Sequence, residues 1–166
     1  MEKCLVIFRA KNGAKIIEKI QIDESEAMKK YTSINHVLAI IKIEDDYLMG
    51  WHRWRNDWET FGGLIEDGEC LRECICRECE EELGMKNVNF EYLGIVHYYM
   101  PPGYWIKEWH EEYGGLYGVT LPRKVLTMIE QKRTDRDEIG EIAFYSDIKQ
   151  RGEKIDEINE KLLVFY

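Results

Sequence analysis

A chain of 166 residues is the length of one domain, and a hydrophobic content of 45 % is enough to bury an ordinary core. The charged fraction of 33 % is mixed in sign and accompanied by many aromatics, which excludes a disordered chain. A net charge of −9 argues against general nucleic-acid binding, because phosphate backbones are held mainly by Lys and Arg.

An acidic site can still bind a small phosphorylated ligand through divalent cations that both sides share. No apolar run approaches the roughly 18 residues of a membrane span. The N-terminal MEKCLVIFRAKNG has only a short apolar stretch before Lys11, too little for a secretory signal. No membrane association is expected, and the cytoplasm is the expected compartment.

Residues 3–9 and 15–22 read as two strands around an Asn12-Gly13 turn, a hairpin pattern. Residues 23–30 are polar and allow a short helix. Residues 36–43 and 47–53 flank Glu44-Asp45-Asp46 and read as a second hairpin. A short strand at 58–61 runs into Gly62-Gly63, and residues 70–83 read as helix, stopped by Gly84. Strands are expected at 87–99, 114–121 and 139–145, and a terminal helix at 153–163. Many strands with one central and one late helix make an α+β domain in which helices cover a mixed sheet.

Four of the five cysteines, Cys70, Cys74, Cys76 and Cys79, fall within the helical stretch. At about 100° per residue Cys70 and Cys74 point one way and Cys76 and Cys79 roughly the other. Such sulfurs do not close the tetrahedron that zinc requires, and small apolar thiols in a reducing compartment are the simpler reading.

On the same helix, Leu71, Cys74, Ile75 and Cys79 form an apolar arc. Glu78 and Glu82 fall inside that arc and Glu81 at its edge, so the core-facing side changes from hydrocarbon to carboxylate. These are the C-terminal turns, where the helix dipole disfavours negative charge by about 0.3–1 kcal/mol per group, and like charges at i,i+4 add a similar cost. A generic run of glutamates is a solvated face, and Glu80, pointing away, is expected to be one. Unfavourable charges gathered on an inward face instead suggest a cation that reverses them. Mg²⁺ takes one or two carboxylates and fills its other positions with water and substrate phosphate.

The approach to the helix carries its own signals. A glycine pair lets the backbone approach a ligand without interference from Cβ. Glu69 could pair with Arg77 and pin the loop to the helix, and Glu73 at i,i+4 is the competing partner.

Together, Gly63 to Met85, GLIEDGECLRECICRECEEELGM, resembles the 23-residue Nudix box. Gly63, Glu69, Arg77, Glu78, Glu81, Glu82, Gly84 and Met85 stand at the box positions. Cys79 replaces the first aliphatic residue of the pattern. Just before the box, Phe61 stands where a proline is frequent, and Cys70, within it, stands where Ser or Thr often begins the helix. The resemblance implies a Nudix-type α/β/α sandwich around a mixed sheet, an α+β fold. It implies one hydrolase domain over residues 1–166, with 1–33 as an N-terminal hairpin extension and 34–166 as the core.

The activity implied is hydrolysis of a phosphoanhydride bond in a nucleoside diphosphate linked to another moiety, with Mg²⁺ (or Mn²⁺) as cofactor. Carried over by position, Glu78 and Glu82 would be the main metal ligands and catalytic carboxylates, with Glu81 an additional ligand and the Gly62 carbonyl a backbone ligand. Gly63, Glu69, Arg77 and Gly84 would orient them. A general base would come from the box or from a later glutamate, with Glu111, Glu112 and Glu138 as candidates.

For the substrate, Trp58, Tyr99 and Tyr104 are candidates to stack on a base, and Arg53 and Arg55 to contact phosphate. Core packing and solvation are the competing readings for these side chains. Pro101 lies sixteen residues beyond Met85, where members acting on ADP-ribose tend to carry a proline. The N-terminal hairpin resembles an extension that some ADP-sugar members use to form homodimers. An ADP-sugar and a nucleoside triphosphate both remain open as substrates.

Three rival functions are distinguishable by sequence. A non-catalytic nucleotide sensor on this fold would be expected to lose box carboxylates, and none is missing. An isoprenoid diphosphate isomerase finds no matching catalytic pair in Cys4 and the helix cysteines. A zinc-stabilised module conflicts with the helix geometry.

Overall fold

In the computed structural model, which describes residues 6–166, Asn12 and Gly13 close the expected hairpin. Gly13 takes φ +91°, and Asn12 Oδ1 accepts from the Ala14 N–H at 3.0 Å. The flanking strands are β1 (Phe8–Arg9) and β2 (Lys15–Ile20), and residues 3–5 of the expected strand lie outside the described residues. Helix α1 (Glu24–Lys30) follows, then β3 (Ile34–Ile43), β4 (Asp46–His52), β5 (Asp57–Glu59) and β6 (Phe61–Leu64). After helix α2 (Leu71–Leu83) come β7 (Glu91–Met100), β8 (His110–Leu121), α3 (Val125–Lys132) and β9 (Ile139–Phe144). Helices α4 (Tyr145–Arg151) and α5 (Glu157–Leu162) and a 3-10 turn, Leu163–Phe165, complete the chain.

The strands form one mixed sheet in the order β1-β2-β7-β8-β3-β4-β5, with β6 also on β3 and β9 also on β4. Strands β3 and β8 run parallel and the other strand pairs antiparallel. Strand side chains alternate between faces, and β3 uses that alternation to build two cores. Its Val37, Ala39, Ile41 and Ile43 pack with Ala27 of α1, Leu71, Cys74, Ile75, Cys79 and Leu83 of α2, and Val125 and Ile129 of α3. Its Ile40 faces the other way, toward Ile148 of α4 and Ile158 and Leu162 of α5. The sheet therefore lies between two helical layers, the α/β/α sandwich that the resemblance implies.

Several elements differ from the sequence expectation: strand β7 begins at Glu91 rather than at 87, and the strand expected at 58–61 is divided into β5 and β6. Strand β8 begins at His110 rather than at 114, because Met100, Tyr99 and Tyr98 of β7 pair with His110, Glu111 and Glu112. Backbone pairing continues through charged residues whose side chains reach solvent. Helices α3 and α4 were not expected; each is short, and α3 buries only Val125 and Ile129, four residues apart. Helix α4 starts at Tyr145, where the expected strand still runs. The terminal helix starts at Glu157 rather than 153, because Asp156 caps it by accepting from the Asn159 N–H at 2.8 Å.

Asn159 also reaches back across the molecule. Its Oδ1 accepts from the Thr60 N–H at 3.0 Å and from the Thr60 hydroxyl, fastening α5 to the residue that precedes β6. Replacing Asn159 with Ala leaves both Thr60 donors unpaired in a buried setting. Urea unfolding should report a loss of about 1–3 kcal/mol, and an unchanged midpoint would contradict this anchoring.

Candidate active site

Cys70 is the N-cap of α2, and its N–H donates to Glu73 Oε2 at 2.8 Å, so Glu73 caps its own helix instead of pairing with Arg77. The helix ends at Gly84, in the left-handed region at φ +66°, where a Cβ would press into the backbone of Lys132 and Arg133. Of the helix cysteines, Cys74 and Cys79 are buried, Cys76 is half-buried and Cys70 exposed. Burial pushes the Cys79 thiol up to about 12 and raises Cys74 and Cys76 as well, so all three are neutral thiols at physiological pH.

The last turns of α2 pack their carboxylates under the glycine pair. Glu82 is 3 % exposed, and its Oε2 accepts from the Gly62 N–H at 2.9 Å. Glu78, with its side chain 13 % exposed, lies against Gly63, where any Cβ would collide with its carboxylate. Gly62 is required for a second reason: at φ +137° its missing Cβ would run into the Val37 carbonyl of β3. Pairing of Leu38 with Gly62 and Val37 with Gly63 holds the two glycines to the central strand. Glu81 stands at the rim with its side chain 50 % exposed. Glu80 is exposed and pairs with Lys86 at 3.1 Å.

Burial pushes the Glu82 carboxyl well above the ordinary carboxylate range, opposed by the Gly62 hydrogen bond and reinforced by the charges of Glu78, Glu138 and Asp135. Burial also raises Glu78, against the pull of Arg77. Arg77 is the one guanidinium that meets this cluster at hydrogen-bond distance among the described residues, and it is shared. Its Nε and Nη2 donate to Glu69 at 2.8 and 3.0 Å, its Nη1 to Glu78 Oε1 at 2.7 Å, and its Nη2 also to the Leu64 carbonyl at 2.9 Å. Glu81 Oε2 lies 3.5 Å from Nη1. The fork grips Glu69 from two sides and holds its carboxyl down at about 2. Glu69 in turn accepts from the Glu66 N–H at 3.0 Å, so the loop, the helix and Glu78 are tied through one side chain.

A fourth acid arrives from the α3–β9 loop. The Thr134 and Asp135 N–H groups donate to the Glu81 carbonyl at 3.2 and 3.0 Å, strapping this loop across the end of α2. Arg133 braces its far side by donating to the Ile139 and Gly140 carbonyls at 2.7 and 2.9 Å. Asp135 Oδ1 accepts from the Glu138 N–H at 3.0 Å. Glu138 is thereby mounted where its charge acts on both Glu78 and Glu82. The other two candidate bases point elsewhere on β8: Glu111 lies 3.5 Å from His97, and Glu112 accepts from or pairs with His110 at 2.7 Å. Sequence reasoning missed His52 and Asp135, which touch Glu138 but carry no local signal of doing so.

The substrate candidates separate in the same way. Trp58 departs from the expectation of a base-stacking residue: it is 0 % exposed in the second core, and its indole N–H donates to Glu153 at 2.6 Å, leaving no face for a base. Tyr99 stacks on Trp109 at 5.3 Å and carries Lys15 over its ring. Tyr104 is exposed and packs edge-on against Trp105. Arg55 donates to the buried Glu59 at 2.7 Å, whose carboxyl burial pushes up to about 8. Arg53 lies over Gly140, beside the shallow hollow formed with Trp51, Asn56 and Glu141.

The donor set suits a hard cation. Its inward members are carboxylate oxygens, desolvated and mutually repelling, beside a backbone kept bare of Cβ atoms. Among the described residues no three Asp, Glu, His or Cys side chains close on one point.

A sequence model of the NUDIX domain matches residues 33–155, most of the chain, and the chain belongs to this family. Among individual relatives it is 36 % identical over 44 residues to the NAD-capped RNA hydrolase NudC of Pseudomonas aeruginosa, a match covering 26 % of this chain and 16 % of that protein. It is 35 % identical over 60 residues to NudC of Vibrio parahaemolyticus, covering 35 % of this chain and 23 % of the relative. The matched part is thus a small fraction of these relatives' length. Among solved structures, the pyrophosphohydrolase BsRppH of Bacillus subtilis superposes with a TM-score of 0.61 at 20 % identity, over 95 % of this chain and 93 % of the other. The NUDIX domain of Shewanella oneidensis NrtR, solved with ADP ribose, gives a TM-score of 0.59 at 14 % identity, over 87 % and 96 % of the two chains. Among the described residues no helix is long and apolar enough to cross a membrane.

The buried Glu82 gives stability a defined pH dependence. Its folded-state pKa is raised, so its contribution is fully present below the ordinary carboxylate range of about 4.3 and is lost as pH climbs through the raised value. Gln at this position can still accept from Gly62 without carrying charge. In a chelator, Glu82→Gln should melt several degrees above the parent at pH 8, with the gap narrowing at pH 5. Equal gaps at both pH values would contradict a desolvated carboxyl.

Proposed function

We propose that this chain is a divalent-cation-dependent hydrolase that cleaves a phosphoanhydride bond in a nucleoside diphosphate linked to another moiety, an ADP-sugar or a nucleoside triphosphate. The observation that carries the reading is the burial of Glu78 and Glu82 against Gly62-Gly63, with Glu138 brought alongside. Glu78 and Glu82 would hold Mg²⁺ or Mn²⁺, with Glu81 at the rim and the Gly62 carbonyl as further ligands. When bound, the cation supplies neutralisation of the diphosphate charge and acidification of a water.

The remaining work falls to the protein's own residues. Arg77 orients Glu78, Glu69 fixes Arg77, and Gly63 leaves room for the Glu78 carboxylate. Glu138 is the general base: the attacking water gives its oxygen to phosphorus and a proton to the Glu138 carboxylate, while the phosphoanhydride P–O bond breaks and the second phosphate departs. Support comes from the relatives' names, since NAD caps and the substrates of pyrophosphohydrolases share a phosphoanhydride bond. A non-catalytic nucleotide sensor would have no need of Glu78, Glu81 and Glu82 together.

Glu78→Gln and Glu82→Gln should each lower kcat by orders of magnitude while circular dichroism stays native, and Glu138→Gln should lower it by about 10²–10⁴-fold. The assay is a panel of nucleoside diphosphate derivatives and triphosphates with Mg²⁺, scored by release of phosphate and nucleoside monophosphate. Full activity in either α2 variant would refute the ligand assignment.

A further inference from the structure

The side chain of Glu138 is held by a residue 86 positions earlier in the chain. His52, the last residue of β4, is 4 % exposed, and its Nε2 lies 2.9 Å from Glu138 Oε1. The opposite ring nitrogen, Nδ1, accepts from the Arg55 N–H at 3.3 Å. A ring nitrogen that accepts carries no proton, so in the neutral imidazole the proton sits on Nε2 and is donated to Glu138.

The turn after β4 makes this arrangement. Asn56 adopts the left-handed region at φ +57°, and its N–H donates to the His52 carbonyl at 2.8 Å, which curls the chain until Arg55 N–H meets the ring. The indole of Trp54 closes the ring's flank edge-on, with centroids 5.7 Å apart. The next residue grips the same glutamate from its backbone, since Arg53 N–H donates to the Glu138 carbonyl at 2.9 Å. Glu138 is therefore fixed at its N–H by Asp135, at its carbonyl by Arg53 and at Oε1 by His52.

We propose that His52 is a positioning residue for the reaction: the backbone of Arg55 sets its tautomer, and the Nε2 proton aims the Glu138 carboxylate so that Oε2 faces the attacking water. This rests on Glu138 being the base. A carboxylate with 39 % of its side chain exposed would otherwise sample several rotamers, and each misplaced rotamer removes the base from reach of the water. Outer partners that orient metal-ligating side chains cost about 10–100-fold when removed, and the same scale is expected for a base oriented in this way.

The test combines kinetics with a spectroscopic readout, on the full chain with Mg²⁺ and with both ADP-ribose and ATP as probes. His52→Leu should lower kcat by about 10–100-fold with KM little changed. His52→Gln, which keeps an N–H donor at a comparable reach, should recover most of that loss. In the Glu138→Gln background, His52→Leu should cost less than about twofold, because the group it positions is gone. Independently of activity, long-range ¹⁵N spectra of the four histidines should show His52, assigned by its loss in His52→Gln, protonated at Nε2 and bare at Nδ1.

An Nδ1-protonated ring, unchanged kcat in His52→Leu, or a loss that multiplies fully with that of Glu138→Gln would overturn the proposal. The two failures are distinguishable. Full activity in Glu138→Gln removes the base and this inference with it, whereas an inactive Glu138→Gln beside a fully active His52→Leu removes only the role of His52.

Discussion

A carboxylate buried at the end of a helix, with a single backbone N–H to answer it, is the constraint around which this protein is arranged. Glu82 sits in the sandwich interior on the Gly62 amide, and Glu78 fills the space that Gly63 leaves by having no side chain. Two acids held this way repel each other and have lost their water, so the fold carries an electrostatic cost at neutral pH. The surrounding structure over-determines their positions. Central strand β3 fixes the glycines, the two-sided core fixes α2, and Asn159 ties down the strand just before the bend.

Positive charge is applied sparingly at this spot. Arg77 reaches Glu78 with one nitrogen while the rest of its fork is spent on Glu69 and the Leu64 carbonyl. It therefore orients the cluster without neutralising it. A second lysine or arginine beside it would have relieved the repulsion among the carboxylates. The α3–β9 loop works in the opposite sense, bringing Asp135 and Glu138 closer and deepening the negative potential. Stability is given up locally, and the loop's hydrogen bonds to the end of α2 and to β9 hold the arrangement in place.

What the sequence reveals and what it hides divide along chain distance. The helix wheel of residues 70–83 and the glycine pair lie within one short stretch, so their geometry follows from local periodicity and turn chemistry. The first two hairpins are legible for the same reason. Helices α3 and α4 are not, since one or two inward residues on two turns are too few to show a period. Trp58 looks like a ligand-stacking residue in sequence because its neighbours are aromatic and charged; only the packing of α4 and α5 against the sheet makes it core. Glu111, Glu112 and Glu138 are equivalent in sequence, and which of them stands near the α2 carboxylates is decided in space by a loop that folds over α2. His52 is the extreme case, a lone histidine at a strand end whose partner lies 86 residues away.

The most direct test of buried, cation-seeking acids is Mn²⁺ binding to the substrate-free protein, followed by calorimetry and by thermal melting with and without the ion. Saturating Mn²⁺ should raise the melting temperature of the parent protein, with about 2.7 kcal/mol of added stability at a hundredfold excess over Kd. The gain should largely vanish when Gln replaces Glu82. If the ion shifts both proteins equally, or neither, the inward carboxylates are not its site and the account fails.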